Sequence, residues 1–262
     1  VGKRNTGTKI RFLPEVEYFD TPNISVISLK HLLRAKAVLS PGLRVDFNVE
    51  GKKEDCATWI YEGGLEEYLL DSLSGSESIP TEVVMLSARG EGEAVDYALK
   101  WLIDANEVLT ESYVNLIPTP QGGTHVSGLR SGLTDALREF CDFHSLIPKG
   151  IKLTGDDLWA QCSYVLSVKL TDPQFAGQTK ERLSSRQSSI FVAGAAKDAF
   201  SLWLIEPPQD GEKIAELVIS NAQKRTNAAK KITRKTVTSG PALPGKLSDC
   251  SGQDINKSEL FL

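Results

Sequence analysis

Alternating apolar and polar residues predict a β-sheet in the first two thirds of the chain. The clearest pattern runs from Leu43 to Val49, where every odd residue is apolar and every even residue is polar. Gly51 and its charged neighbours indicate a turn into a second strand, so these two segments are expected to form a half-buried hairpin. The second strand of this hairpin covers residues 57–61, and further strand-like runs cover residues 82–89, 93–103, 108–117 and 163–170.

A run near the start of the chain shows the same alternation. Residues 8–13 alternate and stop at Pro14, which predicts one more strand, because the residue before a proline favours extended backbone. We expect the pairing partners of this strand to lie outside the chain.

Apolar residues spaced three and four apart predict helices that pack on the sheet. The longest such pattern follows Thr124, the expected N-cap, and consists of Val126, Leu129, Leu133, Leu137 and Phe140. Other helices are predicted from Ser25 to about residue 40, over 65–73, from Thr154 as a short helix, over 188–205, and over about 210–236. Strands and helices in this order predict an α+β fold, an α/β arrangement in two layers.

The last predicted helix separates into two faces at 100° per residue. An apolar stripe is formed by Ile214, Val218, Ala222, Ala229 and Ile232. A cationic cluster lies roughly opposite and consists of Lys224, Lys231, Arg234 and Lys235. One face is therefore expected to pack and the other to meet solvent or a polyanion.

Charge is distributed very unevenly along the chain. The formal net charge is -4, yet residues 221–248 contain seven Lys or Arg and no Asp or Glu, which leaves -11 for the rest. Such asymmetry indicates a cationic surface on an acidic protein, and a polyanion is the partner to test. Pairing with the acidic surface of the same chain is the alternative.

Composition excludes several classes of protein. With 40% hydrophobic and 24% charged residues, the chain is expected to fold as an ordinary globular protein. The best apolar run, 188–205, is interrupted by Lys197 and Asp198, so we expect no membrane span. The four cysteines are scattered without a C-x-x-C pair, which favours a reducing cytoplasm over a disulfide framework.

Three local motifs are candidates for chemistry. Gln121–His125 precedes a helix and could bind an anion, but it completes neither phosphate fingerprint and is interpreted as a turn. Cys141 and His144 could supply half a metal site, but no second ligand pair is suitably spaced, so core packing is expected. Gly177–Lys180 places a lysine in a loop of small and polar residues, where it could bind a phosphate with Gln178 donating beside it. Taken alone, that lysine is interpreted as solvated.

Five runs, in order along nearly the whole chain, change this interpretation. They cover residues 4–12, 111–118, 121–129, 172–183 and 243–250, and they resemble the ATPase-bearing subunits of bacterial type IIA topoisomerases. Within that family, residues 181–187 and 238–244 resemble the topoisomerase IV branch more than the gyrase branch.

The resemblance implies a domain organisation. It identifies a split β-α-β transducer domain (ribosomal-protein domain 2-like) that lies between a GHKL-type ATPase domain and a magnesium-binding TOPRIM domain. The implied boundaries are 1–20 for the end of the ATPase domain, 21–208 for the transducer, 209–240 for its long basic helix, and 241–262 for a linker and the first TOPRIM strand. The remaining catalytic and metal-binding groups of the family are expected outside this chain.

The resemblance also implies site residues and cofactors. Lys180 corresponds to the lysine that reaches the γ-phosphate of ATP in a catalytic and sensing role, and Gln178 corresponds to its neighbouring contact. Lys224, Lys231, Arg234 and Lys235 would face phosphates of double-stranded DNA without base readout. ATP and Mg²⁺ are implied for the intact protein, whereas no nucleotide is expected to stay bound to this chain alone.

The implied function is part of an ATP-hydrolysing enzyme that passes one DNA duplex through another for decatenation and relaxation. Two ATPase-bearing chains would act with two copies of ParC, which carries the DNA-cleaving tyrosine, in an A2B2 assembly at the bacterial nucleoid. Two alternatives remain open: the gyrase B-subunit, and a non-catalytic nucleic-acid-binding module, since ribosomal and translation proteins share the split β-α-β fold. A pure binding module would not need the loop that carries Gln178 and Lys180.

Overall fold

A five-stranded mixed sheet is the centre of the structure, a computed structural model that describes residues 6–103, 108–206 and 208–234; for 208 and 229–234 it describes the backbone alone. Contacts divide the chain into two units, Val1–Ala222 and Gln223–Leu262. The first unit holds both sheets. The described part of the second, residues 223–234, is helical throughout.

The secondary structure follows the alternation and helical spacing of the sequence closely. The strands are β1 Val45–Phe47, β2 Ala57–Trp59, β3 Ser78–Arg89, β4 Glu93–Leu102, β5 Thr110–Val114, β6 Ile117–Pro118 and β7 Cys162–Leu170. The α-helices are α1 Val26–Val38, α2 Gly64–Ser72, α3 Thr124–Phe143, α4 Gly155–Trp159, α5 Arg186–Ile205 and α6 Pro208–Arg234.

The main sheet has the strand order β3-β4-β7-β5-β6, while β1 and β2 form a separate antiparallel hairpin. β4 pairs antiparallel with both β3 and β7, and β5 pairs parallel with β7. The connection from β5 to β7 contains α3, so it is a β-α-β crossover inserted in an otherwise antiparallel sheet. This arrangement confirms the predicted mixed α and β fold.

The single strand predicted over 108–117 is divided in two. Asn115 and Leu116 both have positive φ, at 49° and 66°, and so turn the chain from β5 into β6. The Asn115 side chain stabilises this turn, because its Nδ2 donates to Leu170 O and its Oδ1 accepts from Leu170 N, both at 2.8 Å. Asparagine tolerates left-handed backbone better than most residues, and alternation alone does not register such a turn.

Both faces of the main sheet are covered by helices. On one face, α3, α5 and α6 bury residues such as Tyr97, Trp101 and Leu166. On the other, α1 and α2 cover a smaller cluster that includes Ala98, Tyr113 and Val165. The Trp101 indole nitrogen donates to Leu158 O at 2.9 Å, so the largest buried side chain keeps its hydrogen bond.

Helices α3 and α5 approach each other through glycines. A Cβ atom on Gly128 would lie 2.5 Å from Ser189 O, and one on Gly132 would overlap Ala193 O and lie 3.0 Å from the Ala196 Cβ. Such distances are shorter than any ordinary van der Waals contact, so only glycine allows this helix spacing.

Helix α5 has the length and mean hydropathy of a membrane-crossing helix. Its inner row of Val192, Ala196, Phe200 and Leu204 is fully buried. Lys197 forms an ion pair with Glu139 of α3, at 2.6 Å. We therefore assign α5 to the protein core.

One predicted helix cap is wrong, two predicted helix starts are confirmed, and the strand predicted over 8–13, whose partners are expected outside the chain, stays a prediction. Residues 8–13 lie exposed without strand structure, since a strand needs a neighbour to satisfy its backbone groups and none of the described residues provides one. The N-cap of α3 is Gly123, not Thr124, whose buried hydroxyl has no hydrogen-bond partner among the described residues. Ser25 caps α1, and Thr154 forms a capping box with Asp157 at α4.

The glycine contact between α3 and α5 predicts opposite effects for two alanine substitutions. Gly132→Ala should lower the free energy of unfolding by about 1–3 kcal/mol, because the added methyl group forces the helices apart. Gly194→Ala lies in α5 with open space around it and should raise stability by about 0.5–1 kcal/mol, since alanine is the better helix former. Urea unfolding measures both, and equal effects of the two variants would contradict this account of the packing.

Candidate functional site

A short hairpin-like segment, residues 174–184, presents the candidate phosphate-binding residues; we call it the Lys180 loop. Ala176 N donates to Arg182 O at 2.9 Å, and Ser184 N donates to Gln174 O at 2.8 Å. Phe175 pairs antiparallel with Leu183, whose side chain is 1% exposed and anchors the segment. The loop therefore has a base of paired backbone and a tip at 177–181.

Lys180 lies at the tip in a left-handed conformation. Its φ is 58°, and its backbone N–H donates weakly to Gly177 O at 3.4 Å. A non-glycine residue in this region costs of order 1 kcal/mol and persists only where its surroundings hold it. The structure thus places Lys180 in a defined turn and not in an extended loop.

The ammonium group of Lys180 is free to meet an anion. Its side chain is exposed, and Nζ lies 5.9 Å from the centre of the Phe175 ring, at the outer limit of a cation–π contact. Within the described residues, no carboxylate oxygen pairs with it. Gln178, two residues away, is exposed on the same tip. The resemblance implies a role for both residues, and both are exposed on this tip.

A second segment, residues 121–124, holds the base of the Lys180 loop; we call it the strap. Gln121 N donates to Glu181 O at 3.1 Å, Leu183 N donates to Gly122 O at 3.0 Å, and Thr124 N donates to Leu183 O at 3.1 Å. The Gln121 side-chain amide also donates to the Glu181 carboxylate, at 2.6 Å. Gly123 and Leu183 form a parallel bridge.

The strap has a role that its local sequence does not reveal. The sequence predicts a plain turn, and Gly122 N does donate to Thr119 O at 2.8 Å, as a turn requires. However, Gly123 has φ of 134°, and a Cβ atom there would overlap Leu183 O and lie 2.6 Å from Leu183 N. The adjacent glycines were the available signal, because a backbone that approaches another backbone so closely needs glycine.

His125 joins the strap to the sheet. The side chain is fully buried, and its Nε2 lies 3.2 Å from Thr119 Oγ1. Thr119 Oγ1 donates to Ser112 O of β5 at 2.9 Å, so Nε2 is the imidazole nitrogen that donates to Thr119. Burial lowers the pKa of His125 from 6.5 to about 4, which keeps the imidazole neutral at physiological pH.

The other sequence candidates occupy separate places. Cys141 is buried in the core as expected, and the His144 ring lies 4.5 Å from that of Phe140. No group of three metal-ligating side chains occurs among the described residues. Burial in the core raises the pKa of Cys141 to about 11, so its thiol is protonated and unreactive.

The cationic residues of α6 are described only in part. Lys224 is exposed on the helix, and Ile214, Val218 and Ala222 are buried, which confirms the first part of the apolar stripe. Lys231 and Arg234 lie within the helical backbone, but their side chains, like those of Ala229 and Ile232, are outside the described set. Lys235 lies beyond the described residues.

Comparisons with known proteins agree on one family. A family model described as DNA gyrase B matches residues 64–233. The chain is 57% identical over 261 residues to the DNA topoisomerase 4 B-subunit of Haemophilus influenzae, with 100% of this chain and 41% of the relative covered. It is 37% identical over 269 residues to the DNA gyrase B-subunit of Cytophaga hutchinsonii, with 98% and 55% covered. It therefore spans about two fifths of the length of the topoisomerase relative.

A solved structure gives the same result. The topoisomerase IV ATP-binding domain of Francisella tularensis, in complex with a small-molecule inhibitor, has a TM-score of 0.71 and 44% sequence identity. The match covers 86% of this chain and 61% of that one. The resemblance stated from the sequence is thereby confirmed at the level of the family and of the fold.

The depressed pKa of His125 predicts a pH dependence of stability. The unfolded chain binds a proton below pH 6.5, whereas the folded chain resists it until about pH 4, so the free energy of unfolding should fall as the pH drops through this window. His125 contributes at most about 3 kcal/mol of that loss. His125→Gln should flatten the profile in urea unfolding between pH 4 and 7, while His144→Gln, an exposed control, should not. Equal slopes for both variants would contradict the assignment.

Proposed function

This chain belongs to the DNA gyrase B family, and from that premise we propose that it is the transducer segment of the topoisomerase IV ATPase protein, ParE. Residues 1–20 would end the ATPase domain, 21–208 would form the transducer, 209–240 its basic helix, and 241–262 the link to a TOPRIM domain. Identity of 57% to a topoisomerase 4 B-subunit, against 37% to a gyrase B-subunit, supports this branch. The activity is proposed for the whole protein, with this segment coupling ATP use to DNA movement.

The observation that carries the proposal is the exposed ammonium of Lys180 on a supported loop tip, where no carboxylate of the described residues pairs with it. A lysine is a compact charge suited to a phosphate, and Gln178 can donate beside it. In the intact protein these side chains would contact the terminal phosphate of ATP, where Lys180 would neutralise charge that develops during phosphoryl transfer. Mg²⁺ would be held elsewhere, since the described residues contain no cluster of metal ligands.

This contact alone is too weak to bind nucleotide. A charge-assisted hydrogen bond contributes about 1.5–3 kcal/mol, whereas even millimolar affinity requires about 4.1 kcal/mol. The chain by itself is therefore expected neither to retain nor to hydrolyse ATP. Lys180 would act as a sensor instead, because its contact exists only while the terminal phosphate is present.

The contact between Lys180 and the phosphate would couple ATP use to DNA movement if it favoured one arrangement of the ATPase domain and the transducer over another. While Lys180 holds the phosphate, the angle between ATPase domain and transducer would be fixed, and release of phosphate would free it. Hydrogen bonds join the Lys180 loop to β5 through the strap, Thr119 and His125. A displacement of the loop on phosphate binding would therefore be transmitted to the main sheet.

The basic part of α6 supports DNA as the second partner. Lys224, Lys231, Arg234 and Lys235 would face backbone phosphates, which suits an enzyme that passes duplexes of any sequence. The remaining partners proposed are a second ParE chain and two ParC chains, in the bacterial cytoplasm. A pure binding module of the same fold is disfavoured because it has no use for an unpaired lysine on a supported loop.

Removing the Lys180 ammonium should impair ATP turnover. In full-length ParE assembled with ParC, Lys180→Ala should reduce ATP hydrolysis and decatenation by about 10- to 100-fold, the equivalent of one charge-assisted contact. Lys149→Ala removes an exposed lysine of the α3–α4 connection and should leave both rates unchanged. Normal turnover by the Lys180→Ala enzyme would overturn the proposed function.

The basic helix should determine the salt dependence of DNA binding. Replacing Lys224, Lys231, Arg234 and Lys235 by glutamine should reduce the slope of log K against log salt by about 3.6, and Lys224→Gln alone by about 0.9, for unrelated duplexes alike. Lys213→Gln is the control on the same helix, because its ammonium already pairs with Asp210 at 3.0 Å. If the quadruple variant kept the original slope, α6 would not be the DNA surface.

A further inference from the structure

We propose that the strap is the positioning element for Lys180 and that Gln121 is its positioning residue. The inference rests on the proposed function, since it concerns how the same lysine is aimed. It assigns a role to a motif, Gln121–Thr124, whose local sequence indicates only a turn.

The first argument is the placement of the contact. Gln121 holds Glu181 twice, through the backbone N–H at 3.1 Å and through the side-chain amide at 2.6 Å. Glu181 is the residue directly after Lys180. A bond there limits rotation of the peptide that carries the lysine, more than a bond at the distant end of the loop would.

The second argument is electrostatic. Glu181 is the carboxylate adjacent to Lys180 along the chain, and unrestrained it would be the nearest partner for the ammonium and a source of repulsion for an incoming phosphate. The neutral side-chain amide of Gln121 donates a charge-assisted hydrogen bond to that carboxylate. Gln121 therefore keeps Glu181 on the strap side, and the Lys180 ammonium has no carboxylate partner among the described residues.

The third argument is that the strap itself cannot move freely. Gly123 meets Leu183 backbone to backbone, and Leu183 is a buried anchor with 1% exposure. Behind it, Gly122 bonds to Thr119, and Thr119 bonds to Ser112 on β5 and to His125 on α3. A contiguous set of hydrogen bonds thus runs from the sheet to Glu181, the residue next to Lys180, as a pre-organised site requires.

The decisive experiment is a double-mutant cycle in full-length ParE assembled with ParC. Gln121→Ala should lower kcat/KM for ATP about tenfold, the expected cost of a misplaced contact, yet should have no further effect in the Lys180→Ala background. Glu181→Gln keeps an acceptor for Gln121 and should retain at least half of the activity. Gln209→Ala, an exposed glutamine on α6, is the matched control and should change neither background.

A second measurement needs no nucleotide. Amide hydrogen exchange of residues 177–183 should become faster in Gln121→Ala than in the parent protein or in Gln209→Ala, because the loop loses its hold at Glu181. A merely structural role would predict additive losses in the cycle together with a general loss of thermal stability.

The outcomes separate the two proposals. If Lys180→Ala leaves turnover intact, the proposed function fails. If Lys180→Ala impairs turnover but Gln121→Ala is silent or adds fully to it, the positioning role of the strap is overturned while the function of Lys180 stands.

Discussion

The close approach of Gly123 to the backbone of Leu183 is the constraint on which the candidate site depends. No side chain fits between the two segments at Gly123, and three backbone hydrogen bonds and one side-chain hydrogen bond join them along 121–124. Without this contact the Lys180 loop would lose its backbone pairing with the strap and would depend mainly on the hydrogen bonds at its own base. Gly123 is also the N-cap of α3, so the same glycine begins the helix and allows the close backbone contact that supports the Lys180 loop.

Periodicity predicted most of the fold because it reports which face of each element is buried. The row Leu129, Leu133 and Leu137 lies in the core as its spacing requires. Periodicity fell short where the outcome depends on residues distant in sequence. Residues 8–13 alternate but have no pairing neighbour among the described residues, and the N-cap of α3 is Gly123 because the backbone of Leu183 leaves no room for a side chain there. Local pattern contains no information about either contact.

The candidate site was accessible to sequence reasoning only in part. The residues of the Lys180 loop alone predict a solvated loop. Only the resemblance to a family singles out Gln178 and Lys180. The structure adds the positive φ of Lys180, its lack of a carboxylate partner among the described residues, and the hold of Gln121 on Glu181. None of these follows from the spacing of apolar and polar residues, and the bond from Gln121 to Glu181 joins segments 60 residues apart in sequence.

A sensor built on one phosphate contact works only if its support is stiff. A contact of about 2 kcal/mol can shift a two-state domain equilibrium by roughly 30-fold, and no ligand shifts it by more than its differential affinity. If the loop could bend to follow the phosphate at little cost, most of that free energy would be absorbed in the loop and the domain angle would stay where it was. Three features oppose such bending. They are the backbone pairing of Phe175 with Leu183, the close backbone contact of Gly123 with Leu183, and the buried His125 next to the strap. The coupling proposed here therefore depends as much on the neutral residues of the strap as on the charge at the tip.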